Sequence, residues 1–270
     1  MPDLRIDASA QIDPRAVVSE TARIGAGAQI GPYVVIGEQT RIAENCQIGP
    51  YSQIGDFTEI GAHCRVSAHA IVGSPSQDLK HQDGVVSWLK IGERNRIREF
   101  VTINRATAAG DITRIGNDNL IMAYAHVAHD CEIANRVVLA NGATLGGHVQ
   151  LADDVIIGAM TGVHQFVQIG RLVMVGAMSR VCNDVPPFML CSGSPPRLYG
   201  LNTVGLRRAG FRASVRQALK NAYQSLYRQN LTLEQALASL ESMDGMEVAE
   251  LLHFCQLSQR GLVGYKQSVF

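Results

Sequence analysis

The chain has 270 residues, 24 basic against 24 acidic side chains, 46% hydrophobic and 6% aromatic residues. That balance excludes a disordered tail, a collagen and a protein built around a strongly basic nucleic-acid surface. No run approaches the roughly 18 apolar residues that span a bilayer. The opening MPDLRIDASA lacks a basic-then-apolar secretory pattern, so a cytoplasmic protein without a transmembrane segment is expected. The six cysteines, Cys46, Cys64, Cys131, Cys182, Cys191 and Cys255, form no CxxC pair and are expected to be reduced.

A short period governs the first two thirds of the chain. From Ile6, every sixth residue is aliphatic: Ile6, Ile12, Val18, Ile24, Ile30, Ile36, Ile42, Ile48, Ile54, Ile60, Val66 and Val72. The fourth residue after each is small or modest, from Ala10 and Ala16 through Thr40, Cys46, Ser52 and Cys64 to Ala70. Two inward residues per hexad separated by polar ones describe a narrow all-β solenoid of very short strands. Cys46, Cys64 and Cys131 occupy the small slot and read as core filler.

The period halts over residues 74–90, where SPSQDLKHQDGVVSWLK predicts an excursion, and resumes at Ile91, Ile97 and Ile103. A second small bulge falls at RATAAGD, after which Ile115 through Val181 again repeat by six. Three hexads per triangular turn give 18 residues per coil and about nine coils. Asp184, Pro186 and Pro187 end the repeat. The domain boundary is set at 1–189 for the solenoid and 190–270 for an α-helical C-terminal domain. There Ser214 with Gln217 and Thr232 with Gln235 have capping-box spacing, and Val215, Leu219, Ala222 and Leu226 form a helical stripe.

Because residue n stacks over n+18, His129 lies beneath Gly147 and Gln165, and Asp130 beneath His148. His164 adjoins Gln165, so the group converges on one face over two coils, about 10 Å. A close pair of zinc-binding histidines in gamma carbonic anhydrase solenoids has four residues between its members. His126 and His129 have two, so neither a metal nor a cofactor is expected.

The hexads resemble the left-handed parallel β-helix acyltransferases. A narrower likeness rests on QDLK (Gln77 to Lys80), IGERNRIREFVTINRAT, AHVAHDC (Ala125 to Cys131), GGHV (Gly146 to Val149), VHQF (Val163 to Phe166), DVPP from Asp184 and GLRRAGF (Gly205 to Phe211). These strings are similar to those of the UDP-N-acetylglucosamine O-acyltransferase family, over essentially the whole chain.

The resemblance implies left-handedness and a homotrimer with clefts between neighbouring subunits. It also implies transfer of an R-3-hydroxyacyl group from acyl carrier protein to the 3-hydroxyl of UDP-N-acetylglucosamine, the first step of lipid A synthesis. It assigns His129 as general base, Asp130 as its orienting partner and the Gly147 N–H as oxyanion donor. Gln77, Asp78 and Lys80 would grip the sugar nucleotide, and His126, His148, His164 and Gln165 would line the cleft. Asn202 and Arg208 would reach the nucleotide from an adjacent subunit, and Ala177 would set acyl length. Val204 and Ala209 stand where the family usually carries an acidic residue and a second arginine.

The chemistry points the same way: an alcohol attacking a thioester needs a base of near-neutral pKa, which histidine supplies, and a donor for the developing oxyanion. The alternatives are the N-acyltransferase of the same pathway, which carries an extra domain before its solenoid, a catalytically silent hexapeptide scaffold, and a zinc hydratase. From Arg197 to Arg228 there are seven basic and no acidic residues, a surplus that would steer an acidic carrier or a pyrophosphate. Interleaved stacking aromatics are missing there, so no nucleic acid is expected. Trp88 reads as packing for the excursion, and Cys131 as too buried for a nucleophile.

Overall fold

The computed structural model describes residues 6–265. Each hexad contributes a strand of about two residues, such as Arg23–Ile24 and Gln29–Ile30, whose first side chain faces solvent and whose second is buried. So short a strand has no stability of its own and persists because both its edges are paired. Gln11 pairs with Gln29, Val17 with Val35 and Arg23 with Arg41, all in parallel and all 18 residues apart. Three sheets result, here called the first, second and third faces of a triangular prism. Among the described residues they hold 11, 9 and 8 strands.

The interior is the aliphatic column with the small slots between its members. Ile24, Ile36, Ile54, Ile97, Leu145 and Val181 are all buried, and each such side chain contributes about 2 kcal/mol relative to exposure. The small residues fasten successive coils: the Thr40 Oγ1 donates to the Gly55 carbonyl at 2.8 Å, and the thiols of Cys46 and Cys131 donate to Gly61 and Gly146 at 3.1 and 3.2 Å.

Glycine after the aliphatic residue serves close approach between coils. A Cβ on Gly49 would meet the Ala68 nitrogen at 2.8 Å. The left-handed conformation falls two residues further on, at non-glycine corners such as Tyr33, Asn45, Asp130 and His148, with φ between 55° and 59°. Corner side chains of successive coils therefore stack, as in the column Tyr33, Tyr51, His69, Phe100 and Tyr124, with ring centroids 4.9–5.1 Å apart.

Both excursions leave from the edge between the second and third faces. The strands Ile71–Ser74 and Trp88–Ile91 include both ends of the expected 74–90 segment, so the loop proper is 75–87. The second excursion lies between the strands Thr102–Asn104 and Ile112–Ile115. The loops bind each other: the Trp88 N–H donates to Asp111 at 2.9 Å and the Gly110 N–H to Val86 at 2.9 Å. Trp88 packs edge-on against Phe57 at 5.5 Å, the packing role expected of it.

At the far end, Met189–Ser192 pairs in parallel with Met174–Val175, and Arg197–Leu201 folds back antiparallel upon it. The first face thus continues past residue 189, because the chain gains one more coil pairing before it leaves the solenoid. Helices follow: α1 (Thr203–Arg208), α2 (Ala213–Tyr227), α3 (Leu233–Glu241) and α4 (Met246–Leu257).

The Thr232–Gln235 capping box is present, with both reciprocal bonds. Ser214 is not a cap, since Arg212 in extended conformation opens α2 and places Ser214 inside it. Leu219, Ala222 and Leu226 are buried, with Val215 packed against the core. None of these helices is long and apolar enough to cross a membrane.

Asp184 joins solenoid and helices. Its fully buried carboxylate accepts from the Gln168 N–H at 2.8 Å, the Ser258 hydroxyl at 2.7 Å and the Arg260 N–H at 3.2 Å. Asp184→Ala would strand buried donors and should lower stability by about 3 kcal/mol. Urea denaturation followed by far-ultraviolet circular dichroism checks this, and an unchanged midpoint would remove Asp184 from the junction.

Candidate functional site

The corner at which the chain passes from the second face to the third, one coil above the excursions, collects the titratable groups. His126 lies on the strand His126–Val127 and Glu132–Ile133 follows, so His129 and Asp130 form the turn between them. Asp130 has the left-handed φ of a corner, 59°. Its carboxylate lies 2.8 Å from the His129 Nδ1. A carboxylate there holds the ring proton on Nδ1 and leaves Nε2 as the free lone pair. His129 is 8% exposed, so its ring is nearly buried at the corner.

Gly147, one coil above, permits this placement. A Cβ there would lie 2.7 Å from the His129 Nε2 and closer still to Cε1, so only glycine leaves room for the ring. No acceptor among the described residues takes the Gly147 N–H. It is a free donor beside a free lone pair.

Around this pair the structure assembles most of the expected residues. Asp78, from the first excursion, has its Oδ2 3.9 Å from the His129 Nε2. The Lys80 N–H holds the Asp78 carboxyl below the usual carboxylate range, and the His129 imidazole adds to that effect. His148 has its Nε2 3.6 Å from Asp130, meets the His129 ring edge-on at 5.4 Å and stacks on Phe166 at 4.5 Å. His126 is tied through Nδ1 to the Thr102 hydroxyl at 2.7 Å; burial, then the neighbouring His129, pushes its pKa below the usual histidine value.

His164 and Gln165 are exposed one coil further on, the former through Nδ1 against the Gln165 carbonyl at 3.2 Å. Gln77 and Lys80 are exposed on the loop.

Asn202 and Arg208 belong elsewhere on the same chain. They line a cavity of about 580 Å³ over the first face, with Val138, Ile156, Met174, Leu201 and Val204. Asn202 also caps α1, accepting from the Gly205 N–H, while its Nδ2 donates to the Leu172 carbonyl, both at 2.9 Å. Each polar atom still has one free valence toward the cavity. Ala177 is exposed beside Met178, at the edge joining the first and second faces.

Two further hydroxyls reach the histidine corner, Thr107 at the end of the IGERNRIREFVTINRAT string without a role assigned to it, and Thr113 outside any quoted motif. Thr107 Oγ1 lies 3.0 Å from the His129 Nδ1, and the Asp130 N–H donates to the Thr113 Oγ1 at 2.8 Å. Stacking arithmetic misses Thr107 because the second excursion places it 22 residues before His129. Cys131 is fully buried and its thiol is pushed up to about 12 by burial, so it forms no thiolate near neutrality.

His129, Asp130 and His148 bring ligand atoms within 4.8 Å of one another, a set that suits a divalent ion. The Asp130 carboxylate is already engaged with the His129 Nδ1 at 2.8 Å, and an ion would compete for it. The geometry favours proton transfer at Nε2.

Stacked hexads, a helical tail and a histidine–aspartate pair at one corner define a left-handed β-helix of the bacterial transferase class. A bacterial transferase hexapeptide model matches residues 39–74 and 112–147, and a model described as UDP N-acetylglucosamine O-acyltransferase, domain 2, matches residues 184–263. A solved UDP-N-acetylglucosamine acyltransferase from Bacteroides fragilis superposes with a TM-score of 0.91 at 34% identity, over 94% of this chain and 100% of that one.

The acyl-[acyl-carrier-protein]--UDP-N-acetylglucosamine O-acyltransferase of Verminephrobacter eiseniae is 50% identical over 199 residues, 71% of this chain and 76% of the relative. The protein of that name from Gloeothece citriformis is 51% identical over 172 residues, 64% of this chain and 62% of the relative's own length. The chain belongs to the UDP-N-acetylglucosamine O-acyltransferase family.

Proposed function

We propose that the protein transfers an R-3-hydroxyacyl group from the thioester of acyl carrier protein to the 3-hydroxyl of UDP-N-acetylglucosamine, without a metal. The observation that carries this reading is the 2.8 Å contact of the His129 Nδ1 with Asp130, which leaves Nε2 free beside the unpaired Gly147 N–H. Nε2 takes the proton of the sugar hydroxyl as its oxygen attacks the thioester carbon. The Gly147 N–H donates to the resulting oxyanion. Collapse breaks the carbon–sulfur bond, and the imidazolium returns its proton to the departing carrier thiolate. Asp130 holds the ring and balances its charge throughout.

The division of the site supports a homotrimer. His129 stands at the edge between the second and third faces, whereas the cavity of Asn202 and Arg208 lies over the first. A neighbour would have to bring its first face to this edge for the sugar nucleotide to touch both. Met160 and Met178 stand 70% and 78% exposed along one edge, an apolar line suited to burial between copies. The six free thiols suit a reducing cytoplasm.

The acyl carrier would meet the cationic end. Arg207, Arg208, Arg212, Lys220 and Arg228 are exposed on or beside α1 and α2. Reversing the charge of Arg212 and Arg216 should raise KM for the acyl carrier more than for the sugar nucleotide, and added salt should mimic the change. Equal effects on both substrates would reduce the cations to a solvated helix face.

His129→Ala tests the base. Turnover should fall by about 100- to 10,000-fold with the chain still folded. The assay is product mass from UDP-N-acetylglucosamine and a mixed 3-hydroxyacyl carrier pool, with melting measured alongside. Near wild-type activity in this variant would dismiss the mechanism.

Ala177 is proposed to meet the end of the acyl chain, following the resemblance of its position to the family's length-setting residue. Methionine there adds about three heavy atoms, and each displaced CH₂ forfeits about 0.8 kcal/mol of burial. Ala177→Met should therefore favour donors shorter by several carbons in competition assays of graded chain length. An unchanged length profile in an active variant would take Ala177 out of the groove.

A further inference from the structure

We propose that Thr107 is a positioning residue for this reaction: it locks the His129–Asp130 pair to the first excursion through the Ser76 hydroxyl, so that base and sugar-binding loop move as one unit. The inference rests on the reading of His129 as base.

Every polar atom of Thr107 faces the site. Its N–H lies 3.2 and 3.3 Å from the two Asp130 carboxylate oxygens. Its Oγ1 lies 3.0 Å from the His129 Nδ1 and 2.8 Å from the Ser76 Oγ. Its carbonyl oxygen faces the His81 Nδ1 at 3.4 Å. The Ser76 Oγ in turn accepts the Asp78 N–H at 3.1 Å, and Ser76 itself is buried.

One polarity satisfies the chain of contacts. The Nδ1 proton is shared between the Asp130 Oδ2 and the Thr107 Oγ1, so the threonine oxygen accepts there and its own hydrogen points to Ser76. The same arrangement then links the Asp78 backbone to the imidazole through two hydroxyls. The backbone just before it is pinned as well: the Arg105 N–H donates to Ser74 at 2.9 Å and the Ala106 N–H to Trp88 at 3.3 Å. Threonine suits the position because its branched Cβ restricts χ1 and fixes the hydroxyl direction.

A second acceptor on Nδ1–H stabilises the tautomer with Nε2 free, and it stabilises the imidazolium once the substrate proton has moved. A threonine that merely knits the two loops together would affect folding and not that tautomer.

Thr107→Val keeps the volume and the N–H to Asp130 and removes the hydroxyl alone, whereas Thr107→Ser keeps the hydroxyl. The valine variant should lose about 10- to 100-fold in kcat, the range expected for a charge-assisted hydrogen bond, with both KM values within about threefold. The serine variant should stay within about threefold of the parent in kcat. Ser76→Ala should lose less than the valine variant, and Ser76→Ala combined with Thr107→Val no more than Thr107→Val alone, because the two hydroxyls act in series.

Nitrogen-15 spectra of histidine-labelled protein give a readout that needs no substrate. His129 should hold its proton on Nδ1 in the parent and show mixed tautomers in Thr107→Val. A valine variant with parental kcat and an unchanged imidazole spectrum overturns the proposal. If that variant does not fold, unchanged kcat and spectrum in Ser76→Ala overturn it instead. If the parent transfers no acyl group, the base reading fails, while the spectrum still decides whether Thr107 holds the ring.

Discussion

In-register stacking of 18-residue coils is the constraint on which the molecule depends. A strand of two residues survives only where its backbone is paired above and below, so the chain tolerates extra residues only if they leave and return at a corner. Both excursions use the same corner, between the second and third faces. Arg65 consequently pairs with Arg96 and Thr102 with His126, after which the 18-residue spacing returns with Arg114 and Glu132. The inserted loops are thereby stacked directly beneath His129 and Asp130, and Asp78 and Thr107 reach the imidazole from there.

The same stacking allots different chemistry to the faces. Outward positions of the first face run Gln11, Gln29, Gln47, Arg65 and Arg96, then change to Leu120, Val138, Ile156, Met174 and Leu190. The apolar half lies at the level of the histidine corner and beneath the cavity of Asn202 and Arg208. The first face thus carries a polar, partly cationic half and an apolar half, while the histidine corner stands on another edge. The third face stays charged and polar, with Lys90 paired to Glu59 at 3.2 Å.

Much of this was legible in residue spacing. Six-residue periodicity gave the inward columns, and the 18-residue stack placed His129, Asp130, Gly147 and His148 together before any coordinates. Thr107 and Ser76 were not legible, because insertion shifts the stacking count by an amount that depends on loop length. The left-handed corners were also hidden: tyrosine, histidine and aspartate occupy them, stabilised by stacking on the coils above and below against an intrinsic cost of about 1–2 kcal/mol each. Glycine marks the conformation only at corners such as Gly27 and Gly142, and after the aliphatic residue it reports the close approach of neighbouring backbones. Ser214 is no cap for a local reason: Arg212 is extended and α2 starts at Ala213, two residues before the expected first helical position at Val215.

The geometry also separates the two histidines of AHVAHDC by role. His126 projects from the flat second face, its Nδ1 occupied by the Thr102 hydroxyl, and burial with the nearby His129 pushes its pKa down. It therefore stays neutral near neutral pH and adds no repulsion when a proton arrives next door. His129 sits where the chain turns, with Asp130 behind the ring and Asp78 in front, so positive charge on it is compensated from two sides. Of the two histidines, the corner one has carboxylate partners and the strand one a hydroxyl partner.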